Sequence, residues 1–126
     1  MNRPANIFAG IAACSESEQV GEILARPALR IERIVSTGQI SPPGFWYEQP
    51  WDEWVLVLSG AARLQFENEA GATPLAAGDY LLIPAGVRHR VEWTSLDRPA
   101  VWLAVHFQPE DVRSVPDNGG EIALHD

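Results

Sequence analysis

The stretch Gly78-Asp79-Tyr80-Leu81-Leu82-Ile83-Pro84-Ala85-Gly86-Val87-Arg88-His89 decides the fold. Tyr80 to Ile83 is a short apolar run, Pro84-Ala85-Gly86 has tight-turn chemistry, and His89 opens a second run that ends at Trp93. Downstream, Thr94 to Pro99 reads as a polar turn and Ala100 to Phe107 as the last strong strand. Upstream lie the strands Glu53–Ser59 and Ala62–Glu67, hinged at Gly60, then the turn Asn68–Gly71 and a short strand at Thr73–Ala76. Further back, Leu29–Ser36 alternates as a strand and Thr37–Gly44 is a loop. Phe45–Gln49 is a short strand broken by Pro50–Asp52. Ser15 with Glu18 forms a capping-box pattern, which predicts a short helix from Glu16 to Ala25, stopped at Pro27. Eight or so short strands with glycine and proline between them predict an all-β sandwich, jelly roll or barrel.

Composition narrows the function classes. The 126 residues suit one domain with a real core. Its divisions are expected at 1–28 (lead-in and short helix), 29–108 (barrel) and 109–126 (polar C-terminal tail). Net charge is −8 and every basic residue is arginine. The lack of lysine removes Schiff-base chemistry on a side chain. The acidic balance opposes a broad nucleic-acid surface. A single cysteine, Cys14, allows no internal disulfide and fits a reducing, cytoplasmic setting. Ile11-Ala12-Ala13-Cys14 looks like the end of a lipoprotein signal, but Pro4, Asn6 and Gly10 interrupt the apolar stretch before it. The longest apolar run, Trp54 to Leu58, is far too short to span a membrane.

Gly78, Pro84, Gly86 and His89 stand in the register of the second motif of small cupins, which runs Gly, five residues, Pro, one, Gly, two, His, three, Asn; Trp93 replaces the final Asn. Glu53 and Gly60 resemble the second half of the first cupin motif. Counting back from Glu53, its two histidine positions hold Tyr47 and Gln49, and its leading glycine position holds Ser41. The resemblance implies a cupin-type antiparallel β-barrel or jelly roll, of six to eight strands, to which the capping pattern adds a short N-terminal helix. It also implies that Tyr47, Gln49, Glu53 and His89 point into the barrel, where family members hold one divalent metal such as Zn, Fe, Mn, Ni or Cu.

Residue chemistry weakens that metal set. Imidazole and carboxylate are good ligands, a Gln amide is a weak one, and a Tyr phenol ligates only when deprotonated. Glu53, His89 and Gln49 are therefore the candidate metal residues, with Tyr47 and Glu53 the candidate acid–base residues; the other reading is a metal-free pocket. His106 is the best substitute ligand if its strand face is inward. Arg33 would be a charge in the pocket if the face of Leu29, Ile31 and Val35 is inward, and a surface residue if a bulge resets the parity. Trp93 shares the parity of His89 and Val91 and is expected to line the pocket. Trp46 and Trp54 have the opposite parity to Tyr47 and Glu53, which predicts an outer aromatic face buried in a homodimer, or covered by the N-terminal helix.

Two functions follow. One is a cupin-fold small-molecule-binding protein with a degenerate metal site. The other is a metal-dependent small-molecule enzyme (a dioxygenase, isomerase or lyase) anchored on Glu53 and His89. Neither nucleic acid nor membrane is expected as a partner.

Overall fold

A computed structural model describes residues 2–109. Eight strands follow one another: β1 (Gln19–Arg26), β2 (Leu29–Ser36), β3 (Asp52–Ser59), β4 (Ala61–Phe66), β5 (Thr73–Ala76), β6 (Tyr80–Ile83), β7 (His89–Thr94) and β8 (Ala100–Phe107). They form a five-stranded sheet in the order β1-β2-β8-β3-β6 and a three-stranded sheet in the order β5-β4-β7. Every pairing is antiparallel. The described residues contain no helix, and so none long and apolar enough to cross a membrane. Residues 110–126, which hold nearly all of the expected C-terminal tail, lie outside the described part.

Strand parity builds the core. Along β3, Glu53, Val55 and Val57 are buried, while Trp54 and Leu56 on the other face are half-buried. Ala62, Leu64 and Phe66 on β4 face them with Leu75, Ile83, Ala100, Trp102 and Ala104. His106 continues the inward series of β8. The core therefore lies between the two sheets and is apolar through its middle; the polar site residues collect at one end.

Gly60 makes the passage from β3 to β4 feasible. Its φ of 75° is the left-handed region, and a Cβ there would stand 2.5 Å from the Pro99 carbonyl oxygen and 2.7 Å from Ala100 Cα. Gly86, with φ of 81°, serves the turn whose Val87 N–H donates to the Pro84 carbonyl at 3.2 Å.

Two expected elements differ. Gln19–Arg26 is a strand where a helix was expected at Glu16–Ala25. The capping groups are taken by distant partners: the Ser15 N–H donates to Thr37 Oγ1, and the Glu18 carboxylate accepts from Ser36 Oγ at 2.8 Å. Val20 and Ile23 then favour the extended chain paired with β2, and the interior Gly21 weakens the helical alternative. Phe45–Gln49, expected as a strand, is a single bridge between Tyr47 and His89 inside a long loop. Two prolines before it and Pro50 after it leave no room for a ladder.

Candidate functional site

A cavity of about 190 Å3 opens between the sheets, and two histidine stations line it, one at His89 and one at His106. Its apolar wall includes Val20, Ile34, Val55, Leu64, Ile83, Val91 and Trp102. Its polar groups are Glu18, Arg30, Glu32, Tyr47, Gln49, Glu53, His89 and His106.

The first station is built on the motif residues. The loop carrying Tyr47 and Gln49 is fastened to β7: Tyr47 N–H donates to the His89 carbonyl at 2.7 Å, and His89 N–H returns a bond to Tyr47 at 3.0 Å. Ser41, at the motif's leading glycine position, is buried and its hydroxyl accepts from Val91 N–H at 2.9 Å. Arg90 Nη2 donates to the Ser41 carbonyl at 2.9 Å. The loop is thereby fixed, and Tyr47 stacks on His89 with centroids 5.5 Å apart. Gln49 Nε2 donates to Glu53 Oε1 at 2.9 Å.

The tautomer of His89 follows from its neighbours. Nδ1 lies 3.0 Å from the Val87 carbonyl, which can only accept, so Nδ1 carries the proton. Nε2 has no hydrogen-bond partner among the described residues; Glu53 Oε1 is 3.8 Å away and the side chain is 6% exposed. A lone pair therefore points into the cavity when the ring is neutral.

The second station lies on β2 and β8. Trp51 Nε1 donates to His106 Nδ1 at 2.9 Å. An indole N–H never accepts, so Nδ1 is bare and the proton sits on Nε2, which donates to Glu32 Oε1 at 3.2 Å. Arg30 Nε donates to Glu32 Oε2 at 2.9 Å, and its guanidinium lies 5.4 Å from the Trp51 ring. The two cavity imidazoles are thus held in opposite tautomers. Local pattern gives Trp51 and Glu32 no role in the site and marks Glu18 only as a helix cap; the fold brings them to the site across long stretches of sequence.

Parity also moves two expected pocket residues. Arg33 is on the outer face of β2, where Nη1 donates to the Ile7 and Ala9 carbonyls at 3.0 and 2.7 Å; Arg30, Glu32 and Ile34 of the opposite parity line the cavity. The face of Leu29, Ile31 and Val35 is the outer one, and Val35 is buried there. Trp93 leaves the cavity because β7 carries an extra residue at Glu92: Val91 faces Leu64, but Trp93 faces Arg63, whose guanidinium sits 4.7 Å over its ring.

Burial pushes the Glu18 carboxyl above its ordinary value, against the Ser36 hydrogen bond, and the Glu53 charge adds to the rise. Burial also raises the Tyr47 phenol, helped by the charges of Glu18 and Glu53.

These features test the metal expectation. Metal donors must be deprotonated and convergent. Glu53 and His89 Nε2 qualify. Gln49 turns a proton-bearing nitrogen toward Glu53, Tyr47 is driven further from phenolate, and both ring nitrogens of His106 are engaged. Among the described residues no group of three or more His, Cys, Asp or Glu side chains is arranged to hold an ion. The donor set does not fit a resident divalent metal.

Comparisons agree on the family. A putative mannose-6-phosphate isomerase from Ralstonia eutropha JMP134 is 46% identical, with a TM-score of 0.83 over 85% of this chain and 99% of that one. A cupin superfamily protein from Desulfitobacterium hafniense DCB-2 is 18% identical, with a TM-score of 0.69 over 86% and 93%. The DMSP lyase DddQ from Ruegeria pomeroyi DSS-3 is 22% identical, with a TM-score of 0.54 over 71% and 42%; at such identity the likeness shows the fold alone. No curated protein matches the chain. Residues 33–106 match the cupin domain model, and with the barrel and its second motif in place the chain belongs to the cupin family.

Proposed function

We propose that this cupin binds a small molecule in the barrel cavity without a resident metal. The observation that carries this reading is the cavity lining: an apolar wall for the ligand's body, and at one end polar groups already oriented by protein hydrogen bonds. Glu53 and His89 supply the polar contact, and Tyr47 closes the loop side as a neutral phenol. The test is a small-molecule thermal-shift screen of the purified chain, with hits mapped by NMR. Hits are expected to perturb the amides of Val55, Leu64 and Val91 and to be lost in Val91→Trp, which fills the cavity. Hits that map elsewhere, or that survive Val91→Trp, would refute the reading.

A second reading keeps one observation in its favour. His89 Nε2 and Glu53 Oε1 face each other at 3.8 Å. If that pair anchored one divalent metal, the chain would be a metal-dependent small-molecule enzyme, and the isomerase name of the 46% identical relative would be its nearest hint.

We infer also that a second copy of the chain packs on the outer face of the five-stranded sheet, in a cytoplasmic homodimer. The Trp54 and Tyr80 rings meet there at a tilt with centroids 5.4 Å apart, and Tyr80 and Leu82 are 51% and 48% exposed. Light scattering should report a dimer that Leu82→Glu dissociates; an unchanged mass would refute this face as the interface.

A further inference from the structure

The carboxylates that line the cavity outnumber its guanidinium groups, so its fixed charge is negative. Glu18, Glu32 and Glu53 line it against one guanidinium, Arg30, whose Nε is already committed to Glu32. Acidic residues alone would say little, since carboxylates also serve structure. The independent observation is His89. Its side chain is 6% exposed, its Nδ1 proton is spent on the Val87 carbonyl, and its Nε2 lone pair has no protein donor. With the ring neutral, that nitrogen is reached from the cavity and is free to accept from a guest's N–H. His106 cannot donate to it, because its one N–H is directed to Glu32. Glu53 is also short of donors: its hydrogen bond comes from Gln49 alone among the described side chains.

We propose that the cavity selects a compact organic cation, an ammonium group on a small apolar body, whose N–H groups donate to His89 Nε2 and the Glu53 carboxylate. This inference rests on the ligand-binding reading above and names the ligand's class. The ammonium supplies the missing donors and the missing positive charge together. The apolar body fits against Val55, Leu64 and Val91. A carboxylate or a phosphate group would bring a second negative charge beside Glu53, and its ionised oxygens offer His89 no donor. The phosphate group in the name of the 46% identical relative is therefore a poor match to the Glu53 end of this cavity.

The experiment is an NMR titration of the 15N-labelled full chain at neutral pH with three probes of one shape: 3-methylbutylamine, 3-methyl-1-butanol and 3-methylbutanoate. The amine is expected to bind at least tenfold more tightly than the carboxylate, with shifts confined to cavity residues, and Glu53→Gln is expected to remove most of that preference. Equal or tighter binding of the carboxylate or the alcohol at the cavity would overturn the inference and leave the ligand-binding reading standing. Amine shifts scattered over the acidic surface would overturn it as well. If no probe moves a cavity amide, the inference fails, and the thermal-shift screen alone decides the ligand-binding reading. The wild-type comparison decides the matter even if the variant does not fold.

Discussion

The barrel holds two histidine stations that look alike in composition and differ in what their hydrogen bonds leave over. His106 has both nitrogens engaged, by Trp51 and by Glu32, and Glu32 is engaged again by Arg30. His89 has one nitrogen engaged, by a backbone carbonyl, and its partner carboxylate stands 3.8 Å off. The first arrangement is closed and its bonds serve the fold. The second is open and retains acceptors that no described side chain satisfies. An imidazole beside a carboxylate is thus not by itself a functional signature; the count of unspent lone pairs separates the two.

The contrast can be broken at its closed end first. Glu32→Ala deprives His106 Nε2 and Arg30 Nε of a shared acceptor, and a loss of about 2 kcal/mol is expected by urea unfolding. Trp51→Phe keeps an aromatic ring but leaves His106 Nδ1 without a donor, for a loss of about 1 kcal/mol. At the open end, Glu53→Gln should change stability by no more than about 0.5 kcal/mol, because the new amide oxygen still accepts from Gln49. Ligand binding should fall while stability holds. If Glu53→Gln destabilised as much as Glu32→Ala, the distinction between the stations would collapse.

Glu18 offers the smallest and most pH-specific test. Its carboxyl is raised above 4.5 in the fold, chiefly by burial, so the folded chain holds its proton more tightly than the unfolded one. That contribution to stability is fully present below pH 4.5 and is lost as pH rises through the folded value. Glu18→Gln imitates the protonated form and escapes the loss. Its melting temperature should match wild type in acid and exceed it at neutral pH; the reverse order would contradict the assignment.

Local pattern made the barrel legible and left its wiring hidden. Alternation put Val55 and Val57 inward beside Glu53, and the Pro84–Gly86 turn delivered His89 to the cavity. Alternation also placed Trp102 and His106 on one face of β8 without saying which face was inner, because Val101 and Leu103 on the other are apolar as well. On β2 the same ambiguity pointed to Arg33 instead of Arg30. The extra residue at Glu92 is invisible to a period-of-two argument, and it carried Trp93 out of the cavity. The Ser15–Glu18 pattern is a sound helix signal in isolation, overridden when Thr37 and Ser36 took up those groups. Trp51 and Glu32 are 55 and 74 residues from His106, so their meeting depends on the register of β2, β3 and β8 and on no local feature.

The most direct test of a metal-free cavity is the metal content of untagged protein, measured by elemental analysis as purified and again after incubation with Zn, Fe, Mn, Ni or Cu and desalting. The open station offers one carboxylate and one imidazole nitrogen, which predicts far less than one equivalent of any of these metals per chain. One retained equivalent of a transition metal, lost in His89→Ala, would contradict the account and restore the metal-dependent enzyme as the function of this barrel.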